Sequence, residues 1–195
     1  MMKVLVILGH PDSGDSFNRA IARTASRVLT ELGYEPVLRD LYAEKFDPVM
    51  PFGEEKLPVE ELPQPVQEEI CLVREACGFV FVHPNWWGTP PAILKGWIDR
   101  VFRAGFAYSF SADGVVSNFT DKAVQVFTTS NTPRDVELAV YHDPLENFWK
   151  TIVFGLVGSK TFGRRNFESI IMSTPEERAQ WLAEVESLIK ERFAQ

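Results

Sequence analysis

Residues 4–8 read Val-Leu-Val-Ile-Leu, a run of β-branched and leucine side chains with no polar face. A half-buried strand alternates apolar and polar residues; one covered on both sides does not, so this run belongs inside a parallel sheet. Such a sheet needs helices on both faces and crossovers long enough to carry them. The next residues supply one. After Gly9-His10, and from Ser16 on, Phe17, Ala20, Ile21, Val28, Leu29 and Leu32 fall near helical spacing, and Gly33 supplies the stop. Pro36 to Leu41 then reads as a second strand, completing a βαβ unit.

The alternation continues. Val66, Ile70, Val73 and Cys77 recur as one helix face leading into a strand at Gly78 to Val82. Thr89 reads as an N-cap followed by Pro90 in the first turn of a helix whose stripe is Ile93, Leu94, Trp97, Ile98, Val101 and Phe102. Ala123 to Thr128 is the fourth strand. Asp143-Pro144-Leu145-Glu146 has capping-box spacing, with Leu145, Phe148, Trp149, Ile152 and Leu156 facing one way. Thr161 to Ile171 holds the fifth strand, and Thr174 opens a last helix with Trp181, Leu182, Val185, Leu188, Ile189 and Phe193 as its seam. The expectation is one α/β domain over residues 1–195: a doubly wound five-stranded parallel sheet with helices on both faces. Residues 46–65, rich in proline and glutamate, read as a solvated loop or acidic flap.

Composition narrows the function. The net charge is -7 and the pI about 5.1, against the clustered Lys and Arg that nucleic acid requires. Cys71 and Cys77 are too few for a zinc site or a disulfide framework and read as small apolar packing groups; no metal is expected. No stretch approaches the ~20 apolar residues of a membrane span, and the apolar run at residues 4–8 is short for a signal peptide, so a cytoplasmic protein without membrane insertion is expected.

Ligands of such sheets bind at the carboxyl ends of the strands, where the winding reverses. The first of these loops lacks both the G-x-G-x-x-G and the G-x-x-x-x-G-K-[ST] phosphate motifs. It has His10 and then Ser16-Phe17-Asn18 at a helix start, where free N–H groups favour a phosphate; a plain N-cap and a surface histidine are the alternative. The loop after the third strand, Pro84-Asn85-Trp86-Trp87-Gly88, offers an aromatic wall for a planar ring such as an isoalloxazine, with the N–H groups of Trp86, Trp87 and Gly88 at its rim. Capping the core or forming a subunit contact is the other reading of the tryptophan pair. The third loop is Thr128-Thr129-Ser130-Asn131. Gly163-Arg164-Arg165-Asn166 reads as a solvated strand end, or as charge for a nicotinamide phosphate.

From His83 to Phe102 the chain reads HPNWWGTPPAILKGWIDRVF. With Gly9-His10-Pro11 and Ser16-Phe17-Asn18, it closely resembles the NAD(P)H:quinone oxidoreductases of the flavodoxin-like fold, a family that includes drug-activity modulators and partners of potassium-efflux systems. The resemblance runs from about Lys3 to Phe167. It implies a bound flavin, FMN or FAD, with its phosphate at His10, Ser16, Phe17 and Asn18 and its ring between Pro84–Gly88 and Thr128, Thr129, Ser130 and Asn131. It also implies a homodimer, NADPH or NADH as donor, and two electrons passed to a quinone or similar acceptor. The short stretch beyond Phe167 favours FMN. Trp87, Phe106 and Tyr108 are the candidate acceptor-pocket residues, with core or interface packing the alternative for the latter two.

The departures are specific. Better-studied members carry T-T-G-G where this chain has Thr128-Thr129-Ser130-Asn131, and Asn is the residue after Gly most tolerant of unusual backbone angles. They also carry a Tyr six residues before a His. If His142 is that His, the candidate catalytic group stabilising charge on a reduced flavin, Val136 stands at the Tyr position. A flavodoxin-like regulatory subunit, peripherally associated with a membrane transporter and with little turnover, is the alternative. An electron carrier of the flavodoxin type is disfavoured by the first loop.

Overall fold

The computed structural model describes residues 1–12 and 14–194. Its centre is a parallel sheet of β1 (Lys3–Leu8), β2 (Glu35–Asp40), β3 (Ala76–Pro84), β6 (Ala123–Thr129) and β7 (Thr161–Phe167) in the order β2-β1-β3-β6-β7. This is the doubly wound order of the flavodoxin-like fold, with the switch point between β1 and β3. Side chains on the central strands alternate between two apolar layers. Leu5, Ile7, Phe79, Phe81, Val124 and Val126 face one core cluster; Val4, Val6, Leu8, Val80, Val82 and Phe127 face the other.

The second layer is closed by α1 (Phe17–Glu31) and α7 (Pro175–Phe193). The first is closed by α2 (Gln64–Glu75), α3 (Ala92–Val101) and a helical run of α5 (Pro144–Glu146), a π-helical stretch (Asn147–Val153) and α6 (Phe154–Val157). In that run the buried residues are Leu145, Trp149, Val153, Phe154 and Val157, with Ile152 55% exposed. The expected stripe assumed α-helical steps; the wider π turn moves the buried face to every fourth residue.

Three further expectations are corrected, for the cysteines, for Thr89 and for residues 46–65. Cys77 is on β3, not on the preceding helix, because Ala76 already pairs with Lys3; Cys71 is exposed rather than packed. Thr89 does not cap α3, which starts at Ala92 behind Pro91. Between α3 and β6 the chain adds a two-stranded antiparallel hairpin outside the main sheet, β4 (Tyr108–Ser111) with β5 (Gly114–Ser117). Finally, the segment 46–65 is largely exposed, as a solvated loop is, but it is pinned to the fold rather than loose. Phe46 and Leu62 are buried, and Glu54 is 3% exposed. Arg100 on α3 holds Glu54 with Nε–Oε1 at 2.7 Å and Nη2–Oε2 at 2.6 Å, while Arg103 donates to the Glu54 and Leu57 carbonyls. Pro48 lies so close to Gly96 that a Cβ there has no space. A glutamate that looks like surface charge is here the anchor of the strap, because its partner is 46 residues away.

Candidate functional site

The three loops at the carboxyl edge meet at Thr129. Asn18 Nδ2, at the start of α1, donates to Thr129 Oγ1 at 2.9 Å, and Asn85 N–H, just beyond β3, donates to the Thr129 carbonyl at 2.7 Å. The neighbouring hydroxyls are occupied inward. Thr128 Oγ1 donates to Asn166 Oδ1 at 2.7 Å, and Ser130 Oγ accepts from Thr132 N–H at 2.9 Å. Thr128, Thr129 and Ser130 are buried, and Ser130 also bonds through its backbone, its N–H donating to the Phe167 carbonyl and its carbonyl accepting from Ile170 N–H, so these residues fix the edge. Asn131 Oδ1 accepts from Ile171 N–H. Its φ is not positive: the left-handed positions of this edge are Trp87, Gly88, His142 and Asp143.

Trp86 to Thr89 form a two-residue hairpin turn, each end bonding the other's backbone at 3.1 Å. The central residues Trp87 and Gly88 have φ of 56° and 72°, the signature of a type I′ turn. Gly88 is required for a second reason, since a Cβ would meet the Pro144 ring. The turn uses Trp86 N–H on Thr89 and Gly88 N–H on Asn85 Oδ1 (2.9 Å). Among the described residues nothing accepts from Trp87 N–H. Of the three expected rim donors, one is free. The Trp87 side chain is fully exposed and that of Trp86 partly so; a bulky residue held left-handed with its ring in water is a strained position.

Beside this turn lies a pocket of about 540 Å³ lined by Asn85, Trp87, Gly88, Ser130, Asn131 and Thr132, within the usual size range of small-molecule sites. Glu137, Tyr141 and Pro144 close its far side. Glu137 sits on α4 (Arg134–Ala139), an element without a readable sequence signal. It is 3% exposed, accepts from Asn85 Nδ2 at 3.1 Å, and has Oε2 unpartnered. Burial, and after it the Asp143 carboxylate, raise its pKa. No local pattern marks it: its burial is created by Asn85, 52 residues earlier.

At the first loop, Ser16 caps α1 by accepting from Arg19 N–H. Phe17 buries its ring against Phe167 and Trp181, so its backbone N–H is what it offers. No described residue accepts from the N–H groups of Phe17 or Asn18, and Asn18 Oδ1 is buried without a partner. His10 Nδ1 accepts from Asp12 N–H at 3.1 Å, and partial burial lowers the pKa of its imidazole. Arg19 is bound to Asp40 at 2.5 Å.

The remaining candidates lie apart. His142 is exposed and absent from the pocket wall, where its neighbour Tyr141 stands instead. Phe106 packs on Phe119 and under Arg74 at the amino-terminal edge of the sheet, and Tyr108 lines a separate groove with Ile98, Phe102 and Phe148. Neither reaches Trp87 within one chain. Pro84 ends β3, with its carbonyl beside His83 Nδ1 at 2.8 Å. Arg164 and Arg165 are not a solvated strand end. Arg164 binds Asp143 at 2.8 Å and Arg165 binds Glu184 at 2.7 Å. Among the described residues no group of His, Cys, Asp and Glu forms a metal site, and no helix is long and apolar enough to cross a membrane.

Comparison with known proteins agrees with this geometry. A family model described as the flavodoxin-like fold matches residues 2–189. An uncharacterized NAD(P)H oxidoreductase of Haemophilus influenzae is 36% identical over 142 residues, covering 71% of this chain and 70% of that protein. NAD(P)H dehydrogenase (quinone) 1 of Cavia porcellus is 33% identical over 162 residues, covering 73% of this chain and 58% of the relative. The crystal structure of Smu.1420 from Streptococcus mutans superposes with a TM-score of 0.85 at 32% identity, covering 97% of this chain and all of that one. Sheet order, strand-end pocket and relatives together place the chain in the flavodoxin-like fold family, among its NAD(P)H:quinone oxidoreductases.

Proposed function

We propose that the chain is a flavin-dependent oxidoreductase that takes hydride from NADPH or NADH and passes two electrons to a quinone or related electrophile, the donor leaving before the acceptor enters. The observation that carries this reading is Trp87: a fully exposed indole on left-handed backbone, its N–H free, at the mouth of a strand-end pocket. The relatives' names support the same chemistry.

The residues present fit a flavin. The free N–H groups of Phe17 and Asn18, with Ser16 and His10 alongside, suit one phosphate at the positive end of α1, which favours FMN over FAD. Trp87 N–H is the kind of unmatched polar group that an acceptor on the rim of a planar ring satisfies. Asn85, Gly88 and the backbone from Thr129 to Asn131 hold the two sides, with Pro84, Trp86 and Thr128 supporting them from behind. Bound flavin supplies the two-electron carrier that no side chain provides. The chain's own residues bind it, orient it, and through Trp87 and Tyr141 limit water at the mouth.

A second copy of the chain is proposed to complete the pocket in a cytoplasmic homodimer, supported by the exposure of Trp87, Val140 and Tyr141; Phe106 and Tyr108, remote within one chain, reach an acceptor only across such an interface. His142 stays a candidate for charge stabilisation through its place beside Tyr141. The test is an absorption spectrum after loading with FMN or FAD and desalting, followed by anaerobic NADPH or NADH. Retained flavin that bleaches is the expected result; protein that retains neither flavin would sink the proposal.

A further inference from the structure

Glu137 stands where two cavities meet. One is the pocket beside Trp87; the other is a charged cleft of about 290 Å³ between α4, α5 and β7. Glu137 lines both. From the pocket side Asn85 Nδ2 donates to its Oε1, and Asn85 in turn accepts from Gly88 N–H. Glu137 Oε2 has no partner among the described residues, and neither have Arg164 Nε, Arg164 Nη2 and Asn166 Nδ2. Arg164 and Asn166 also line the cleft. These atoms have almost no accessible surface as they stand, and a small turn of the side chains toward a polar space of that size lets water match them.

We propose that Glu137 carries protons between this hydrated cleft and the strand-end pocket, a route from behind the site that is separate from its open mouth. The inference rests on the oxidoreductase reading. Reduction of a quinone to its hydroquinone consumes NAD(P)H and one proton: the hydride brings both electrons and one hydrogen, and the second hydrogen must come from solvent. Glu137 gives that proton, its O–H bond breaking as an O–H bond forms on the reduced acceptor. The carboxylate then regains a proton from cleft water, and no electrons pass through it. The charged groups facing it are Arg134 on its own helix, Asp143 and Glu146 at α5, and Arg164, Arg165 and Glu168 on or beside β7. Burial and Asp143 hold its proton more tightly than in an ordinary carboxylic acid, with Asn85 and Arg164 opposing, and a carrier works best when its pKa lies near the operating pH.

The test compares FMN-loaded wild type with Glu137→Gln, which keeps the acceptor for Asn85 and loses the proton. Stopped-flow bleaching by NADPH and reoxidation by menadione are followed against pH. Reoxidation is expected to fall about 10²-fold more than bleaching, and its loss as pH rises through the Glu137 pKa in wild type is expected to vanish in the variant. Added formic acid restores part of the rate. Infrared spectra of the apo-protein are expected to show a neutral-carboxyl band persisting above the usual carboxylate range and missing in Glu137→Gln. Full reoxidation with an unaltered pH profile overturns the proton route alone, as does an equal loss of both half-reactions. Wild type that retains no flavin overturns the route together with the reading beneath it.

Discussion

The tryptophans divide the molecule into two regions under opposite constraints. Under α3 and the 144–157 helical run, Trp97 and Trp149 are fully buried and their indole N–H groups are satisfied by ionisable side chains: Trp97 Nε1 donates to Glu69 Oε2 at 2.9 Å, Trp149 Nε1 to His83 Nε2 at 3.0 Å. At the carboxyl-edge turn, Trp87 is left-handed, exposed and unpartnered. The first region lowers the energy of the fold and holds the second in a conformation that costs energy. What the difference teaches is that the same residue type stabilises the fold where it is buried with its indole N–H matched, and is a candidate for binding where it is exposed on left-handed backbone.

The largest effect that sharpens this contrast is acid unfolding through His83. The ring is wholly buried, receives Trp149 and faces the Pro84 carbonyl, which fixes the proton on Nδ1. Burial, with a smaller contribution from Arg164, lowers its pKa to about 3 from an ordinary 6.5. The neutral form is therefore the folded one: this stability is complete above pH 6.5 and is lost as pH falls toward about 3. At 1.36 kcal/mol per unit the whole window amounts to about 5 kcal/mol. Urea unfolding between pH 7 and 4 should fall less steeply for His83→Gln than for wild type, by about 3 kcal/mol over that range. Parallel slopes would show that the aromatic region does not depend on a neutral imidazole.

Next in size is Arg100→Met. It leaves Glu54 charged and buried beneath the strap 46–65, and removal of one partner of a buried pair costs about 3–5 kcal/mol. Urea midpoints report the total. Limited proteolysis localises it, with new cleavage expected in the strap before the sheet unfolds. A global loss without strap cleavage would mean that the strap and the aromatic layer are one cooperative unit.

How far each region could be read from sequence follows from the range of the forces that shape it. The continuous run at Val4–Leu8, the stripe from Ile93 to Phe102 and the Thr174 cap are local patterns, and the sheet and its main helices came from them. The three loops were located because strand ends follow from strands. What stayed hidden depends on partners distant in sequence. Glu54 reads as surface charge until Arg100 is beside it, and Glu137 carries no sequence signal until Asn85 and Asp143 surround it. The turn at Trp87-Gly88 falls between these cases. Gly88 hinted at a left-handed position, but only the Trp86–Thr89 pairing shows that Trp87 shares it, and that pairing is what displaced the expected cap from Thr89. The π-helical stretch hid for another reason: Phe148, Trp149, Ile152 and Val153 are all apolar, so the sequence permits either face.

The smallest effect in stability separates the two regions most cleanly. Truncating a tryptophan such as Trp149 to alanine in the aromatic layer costs about 3–5 kcal/mol. Trp87→Gly loses no packing, because the side chain is fully exposed. It relieves a left-handed residue, worth about 1–2 kcal/mol, and returns about 0.4–1 kcal/mol as added freedom of the unfolded chain. The variant should therefore be slightly more stable than wild type, by about 0.5–1 kcal/mol in urea unfolding, while retaining less FMN after desalting. Trp87→Phe separates backbone from ring: it keeps the strain, so its stability should match wild type, and its flavin retention should lie between the other two. A destabilised Trp87→Gly would mean that the indole is covered in solution by the second copy proposed to complete the pocket, and that its packing there outweighs the relief of strain.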